Sequence, residues 1–187
     1  GEDNSRPFVW KTARFTRSNM QIGASEPQPP DPSWPRYSPR PFPAYRFVPG
    51  RSPHPHRNPQ GHSFGRVEAK PALLPPEQWR RVDDYLYAID LYNYAYWWEC
   101  HEVLEGLWRA AGQTTEQGMF FRALIQLAAA NLKRFVGQLH ATDRLLRRGL
   151  VRLERVSEHY MGIDVVNLRN QLEEFQFRSA PLIRLNW

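Results

Sequence analysis

The chain has 187 residues, 41% hydrophobic and 13% aromatic, with seven Trp, a composition that builds one core and excludes wholesale disorder. One cysteine, Cys100, excludes an intrachain disulfide framework, and no apolar run approaches the roughly 20 residues that span a bilayer. A net charge of +6 admits acidic partners, so its distribution along the chain matters. A soluble protein of a reducing compartment is expected. The first residue is Gly, which fits a processed or truncated chain, cytoplasmic or organellar (plastid or mitochondrial) where a targeting peptide has been removed.

Sixteen of the 17 prolines lie at or before Pro76, and the remaining one is Pro181. Proline removes a backbone donor and clashes with the preceding helical turn, so this division separates an arm, residues 1–74, from a helical domain, residues 75–187. Residues 1–76 hold 11 Lys and Arg against 5 Asp and Glu, whereas residues 77–187 hold 14 of each. The whole net charge therefore belongs to the arm. Trp10, Trp34, Tyr37, Phe42, Tyr45, Phe47 and Phe64 punctuate it, with Arg46 and Arg51 among them. A Pro-stiffened segment loses little entropy on docking, so spaced aromatics predict a strap laid over a surface, its own domain or another chain.

The helical signals begin at Pro75-Pro76-Glu77. Helix one is predicted over Glu77 to Asn93 and helix two over Tyr96 to Ala111, stopped by Gly112. Thr114 or Thr115 caps a third helix to about Val136, and Thr142 or Asp143 starts a fourth to about Glu158. A turn at Tyr160-Met161-Gly162 precedes a fifth, capped by Asp164 and reaching about Phe177. Strand patterns are absent. The fold class is all-α, a bundle of about five helices preceded by an extended, Pro-rich, irregular arm.

On helix two, Trp97, Cys100, Val103, Leu104 and Leu107 share one arc at about 100° per residue, with His101, Glu105 and Trp108 beside it. The i, i+4 spacing lets the His101 imidazole and Glu105 carboxylate meet over one turn, as ligands of a divalent metal ion or as a hydrogen-bonded pair that pins helix packing. Two ligands from one helix do not complete a metal site, so Glu102 or the arm histidines His54, His56 and His62 are the candidates to complete it. On helix three, Asn131 falls inside the apolar arc, where a buried amide needs partners, and Gln126 lies on the polar side, positioned to face helix two. Arg144, Arg148, Arg152 and Arg155 form a stripe on helix four, a solvated face or a phosphate contact.

Asn93 to Trp108, with His101, Glu105 and Trp108 in a His-x-x-x-Glu-x-x-(Trp or Tyr) pattern, resembles the signature of the domain of unknown function 309 family of small all-helical proteins. The resemblance continues through Phe121 to Ala130 and covers roughly Val82 to Val156. It implies an all-helical fold and a metal site at His101 and Glu105, without a reaction. Lys133, seven after Gln126, stands where relatives are expected to carry His.

No phosphate-binding glycine loop, nucleophile elbow, paired-Cys motif or dinucleotide fingerprint occurs. The expected function is a helical interaction or structural module, an accessory subunit of a larger assembly that binds other protein chains through its arm. The alternative is a metal-dependent enzyme, a hydrolase in the first instance, centred on His101 and Glu105. A nucleic-acid-binding accessory protein is the second alternative.

Overall fold

The computed structural model describes residues 26–174 and 181–187. A short 3-10 helix, Pro76–Arg81, leads into α1 (Asp83–Asn93), α2 (Trp97–Ala111), α3 (Glu116–Phe135), α4 (Leu139–Leu153) and α5 (Val165–Glu174). Between α4 and α5 lies a two-residue hairpin, β1 (His159–Tyr160) against antiparallel β2 (Ile163–Asp164). The molecule is mostly helical, as its pattern predicts.

Helix one is two elements rather than one. Val82 adopts φ −91°, ψ 90°, and its extended backbone breaks the run between the 3-10 turn and α1. Trp79 and Val82, on the two sides of the break, are both buried. The fourth helix starts at Leu139 and ends at Leu153, each several residues earlier than the polar caps indicate. Asp164 does cap α5, accepting from the Asn167 amide at 2.9 Å, and Thr115 caps α3, accepting from the Gly118 amide at 2.9 Å. The predicted end of the fifth helix, near Phe177, lies outside the described residues.

The two-residue ladder is the one exception to an all-helical reading among the described residues. Met161 (φ 47°) and Gly162 (φ 82°) both occupy the left-handed region, the geometry of a type I′ hairpin turn. A Cβ on Gly162 would lie 2.6 Å from the Trp79 ring, so the turn tolerates no other residue without displacing that indole. Gly118 plays a similar part where α2 meets α3. A Cβ there would sit 1.8 Å from the Gly112 carbonyl.

The central helix is α3, which packs against α2 on one side and α4 on the other, while α1 packs against α2. Phe120, Phe121, Leu124, Ile125, Leu127 and Leu132 are all buried, and Phe120 contacts the rings of Tyr85 and Tyr160. The C-terminal tail is clamped by Asn93, whose Nδ2 donates to the Ile183 carbonyl and whose Oδ1 accepts from the Ile183 amide, both at 2.8 Å.

From residue 26 the arm folds over its own helices. Asp90, fully buried on α1, accepts from Arg36 Nε at 2.9 Å and from the Tyr37 and Ser38 amides at 2.8 and 2.9 Å. Glu99 on α2 accepts from the Phe47 amide at 3.1 Å and pairs with His62 Nε2 at 3.1 Å. Three arm guanidiniums lie on aromatic rings, Arg36 over Phe42, Arg40 over Tyr87 and Arg46 over Tyr96, at 4.0 to 4.3 Å.

Candidate functional site

Helix α2 carries two polar faces. Glu99, Glu102, Val103 and Gly106, spaced i, i+3, i+4, i+7, look toward the arm. His101, Glu105 and Trp108 look the other way around the helix, toward Arg122 of α3. Glu102 lies between the two faces, and the site is built around it.

His101 is buried. Its Nδ1 stands 2.6 Å from the Trp98 carbonyl, which can only accept, so Nδ1 carries the proton and the neutral ring presents the Nε2 lone pair. Nε2 faces Glu102 Oε1 at 3.7 Å and Glu105 Oε1 at 4.0 Å. One ligand atom from each of the three residues lies within 4.8 Å of the others. At 4.0 Å, the His101–Glu105 pair is too long for the packing hydrogen bond that the sequence admits. Glu105 also reaches Arg109 Nη2 at 3.4 Å, an exposed guanidinium one turn on.

Burial pulls the His101 pKa down to about 4, helped by the charges of Arg122 and Arg109 and opposed by the Trp98 bond. Burial, then the charges of Glu105 and Glu68, push Glu102 up to about 7. A neutral imidazole beside two crowded carboxylates is what a divalent cation relieves, since it screens the carboxylates from each other and takes the Nε2 lone pair.

On the arm side, a cavity of about 540 Å³ lies between α2 and residues 40–71, with Glu99, Glu102, His56, His62, Arg66 and Lys70 in its wall. Glu102 is the residue that the cluster and this cavity share.

The arm histidines do not complete the cluster, which corrects the expectation for His54, His56 and His62. His62 takes Glu99, which stands about 200° around the helix from His101. His54 Nδ1 accepts from the His56 and Arg57 amides at 3.2 and 3.3 Å, and its ring packs on Phe47 and Trp98. His56 Nε2 faces Glu68 at 3.8 Å. Trp98 thus separates the arm imidazoles from His101, touching both.

Other expected residues are placed differently. Gln126 is buried and faces α4 rather than α2, accepting from Arg152 Nη1 at 3.3 Å. Asn131 is buried beside Tyr92, yet its Nδ2 meets no acceptor among the described residues. Lys133 donates to Gln138 at 2.9 Å at the end of α3 and is outside the three-residue cluster. Trp108 is buried with the Arg122 guanidinium 4.9 Å from its ring centre.

The arm residues expected to bind a partner are engaged within the chain. Trp34 Nε1 donates to the Ile183 carbonyl, the Tyr37 hydroxyl accepts from the Leu185 amide, and Phe42 packs between Tyr94 and Tyr96. Tyr45 contacts the His62 ring, Arg46 Nε donates to the Tyr94 carbonyl at 2.7 Å, and Phe47 packs on Trp98. Arg51 reaches the Phe135 ring at 5.2 Å. Trp10 lies outside the described residues.

Asp90 and Glu99 were not singled out in the sequence, although each interrupts an apolar stretch of a core helix. A lone carboxylate there demands buried donors, and that demand was the available signal.

No helix of the described residues is long and apolar enough to cross a membrane. No curated protein matches the chain. Residues 85–145, from α1 to the middle of α4 and including the whole His101–Glu102–Glu105 cluster, match the family model Domain of unknown function (DUF309).

Proposed function

We propose that the chain is a helical module that binds one divalent transition-metal ion through His101, Glu102 and Glu105. The observation that carries this reading is the lock on the His101 ring. The Trp98 carbonyl fixes Nδ1–H, so Nε2 is held toward two carboxylates, the outer-shell arrangement that orients histidine ligands. Tetrahedral ligands at about 2.1 Å from one ion stand about 3.4 Å apart, so from separations of 3.7 and 4.0 Å a shared ion has only to draw the two carboxylates inward by a few tenths of an ångström. One imidazole and two carboxylates favour zinc, manganese or iron over calcium or magnesium.

Three protein ligands leave a coordination position open, and an ion held there supplies Lewis acidity. The cavity beside Glu102 gives a small molecule room to approach, which supports a metal-dependent hydrolase as the form such an activity would take. Glu99 and His62, paired in its wall, hold the arm over this cavity.

The reading of the arm as a strap for another chain has less support, because Trp34, Tyr37, Phe42, Tyr45, Arg46 and Phe47 are occupied by the chain's own helices and tail. Nucleic-acid binding through the arm meets the same objection, since Arg36 and Arg40 pair with Asp90 and Asp84 at 2.9 and 2.7 Å.

Calorimetric titration of the full chain with zinc tests the proposal. One equivalent should bind, and His101→Ala and Glu105→Gln should each lose it while keeping the helical circular dichroism. Stoichiometric binding that survives both substitutions would place any metal elsewhere.

A further inference from the structure

The arm loop at 54–63 is tightly closed on itself. A Cβ on Gly61 would lie 2.3 Å from the His54 and Pro55 carbonyls, so only glycine lets the backbone pass there. The Ser63 amide donates to the Pro55 carbonyl at 3.1 Å and the His62 amide to the Tyr45 hydroxyl at 3.2 Å, while the Tyr45 ring packs on the His62 ring. A loop held at consecutive amides carries its side chains in set positions, which a reacting site requires.

His62 Nε2 stands 3.1 Å from Glu99 Oε2, and His62 Nδ1 stands 2.8 Å from Ser63 Oγ. The two paired side chains are 4% and 6% exposed. A carboxylate only accepts, so Nε2 carries the proton of the neutral ring, Nδ1 presents its lone pair, and the Ser63 hydroxyl donates to it. A hydroxyl and an imidazole that meet between chain neighbours are by themselves a local loop contact. Here the second ring nitrogen is held by a buried carboxylate 37 residues away. Hydroxyl, imidazole and carboxylate also line one cavity, the space of about 540 Å³ on the arm side of α2. A hydroxyl within reach of a base that a third group orients is the arrangement that activates serine.

We propose that Ser63 is a nucleophile toward a neutral carboxylic ester of a small molecule, with His62 its general base and Glu99 the residue that positions His62. Charges of both signs line the wall, Arg40 paired with Asp84 at 2.7 Å and His56 facing Glu68 at 3.8 Å, so no single-sign field draws a charged substrate. Phe42, Leu91, Trp98 and Val103 supply apolar surface for the ester's organic part. Ser63 Oγ bonds to the carbonyl carbon as its proton passes to Nδ1, and the imidazolium so formed faces Glu99. Arg66, three residues on and in the same wall, supplies a cation for the developing oxyanion. The bond from carbon to the alcohol oxygen then breaks, Nδ1 returns the proton to that oxygen, and acyl-Ser63 remains. Water gives a proton to Nδ1 and attacks the acyl carbon, the bond to Oγ breaks, Oγ takes the proton back, and the carboxylic acid leaves. The inference goes beyond the metal reading and does not depend on it, since Ser63, His62 and Glu99 are outside the His101–Glu102–Glu105 cluster.

The test incubates the full chain, in EDTA, with para-nitrophenyl butyrate and separately with a fluorophosphonate, which phosphonylates activated serines. One equivalent of fluorophosphonate should add at Ser63, read by peptide mass spectrometry. Ser63→Ala removes one half-buried hydroxyl and keeps the loop's amide bonds, and it should abolish both the adduct and ester turnover. His62→Gln and Glu99→Gln should each lower kcat about a hundredfold, the loss of an oriented general base. In Glu99→Gln, KM and hydrogen exchange at 36–48 should stay unchanged, because glutamine still accepts from the Phe47 amide, so the fall in kcat separates positioning from support of the arm. Absence of an adduct at Ser63 would overturn the proposal, as would undiminished turnover in Ser63→Ala. Turnover that appears only without EDTA, with Ser63 unlabelled, would assign the cavity's chemistry to the metal cluster instead. Failure of zinc to bind while Ser63 is still labelled would remove the metal reading and leave this one standing.

Discussion

The helices and the arm are held by different forces. Between α2, α3 and α4 the contacts are apolar and continuous, so their stability is spread over many side chains such as Phe120, Leu124 and Leu127. The arm, residues 26–71, has few fully buried apolar groups, with Phe47 and Val48 the chief ones. It is held instead by two buried carboxylates, Asp90 and Glu99, and by the Arg40 and Arg46 guanidiniums lying on the Tyr87 and Tyr96 rings. A distributed interface loses stability gradually under substitution, whereas one held at a few polar points fails at those points.

That contrast can be broken in either region. Phe120→Ala should cost about 3–5 kcal/mol, because it empties a fully buried site against Tyr85 and Tyr160, and the whole molecule should lose stability together in denaturant. Asp90→Ala should cost about 3 kcal/mol, the removal of one partner from a buried charged pair that also accepts two amides. Its effect should be local. Hydrogen exchange should rise at residues 36–48 while α3 stays protected, and uniform loss across both regions would show that the arm and helices form one cooperative unit. Arg46→Ala should cost about 1–2 kcal/mol through the lost Tyr94 bond and the lost contact with the Tyr96 ring, again with exchange rising in the arm.

The smallest expected effect is on pH. Burial, then the charges of Arg57 and His56, hold the His54 pKa below its ordinary value, and Phe47 and Trp98 are the other groups that face its ring. The undocked arm therefore binds more protons than the docked arm between the ordinary value of 6.5 and the lower docked value. The His54 contribution to docking is present above pH 6.5 and is lost as pH falls through the docked pKa. Exchange in the loop at 53–63 should rise on acidification, and His54→Asn, which keeps a side-chain acceptor for the same amides, should flatten that dependence.

The same contrast explains what was legible in the sequence. Helical periodicity is a local signal, so α2, α3 and the caps at Thr115 and Asp164 were readable residue by residue. The break at Val82 was not, because it depends on Trp79 packing against the distant turn at Gly162. The i, i+4 relation of His101 and Glu105 could be seen on one helix, and Glu102 adjoins them on the same helix. The address of the arm could not be seen there, since the Arg36–Asp90 and His62–Glu99 pairs join positions 54 and 37 residues apart and no spacing rule connects them. The arm histidines look like ligands by type, yet which helix face they meet is set by the strap's path, and it brings His62 to Glu99.

The most direct test of the metal reading observes the His101 ring itself. Nitrogen-15 NMR of the full chain should show a neutral imidazole protonated at Nδ1, with the Nε2 signal shifting on zinc addition and Nδ1 keeping its proton. The shift should be lost in Glu105→Gln. An Nε2 resonance that does not move while zinc binds would contradict the assignment of His101, Glu102 and Glu105 as the site.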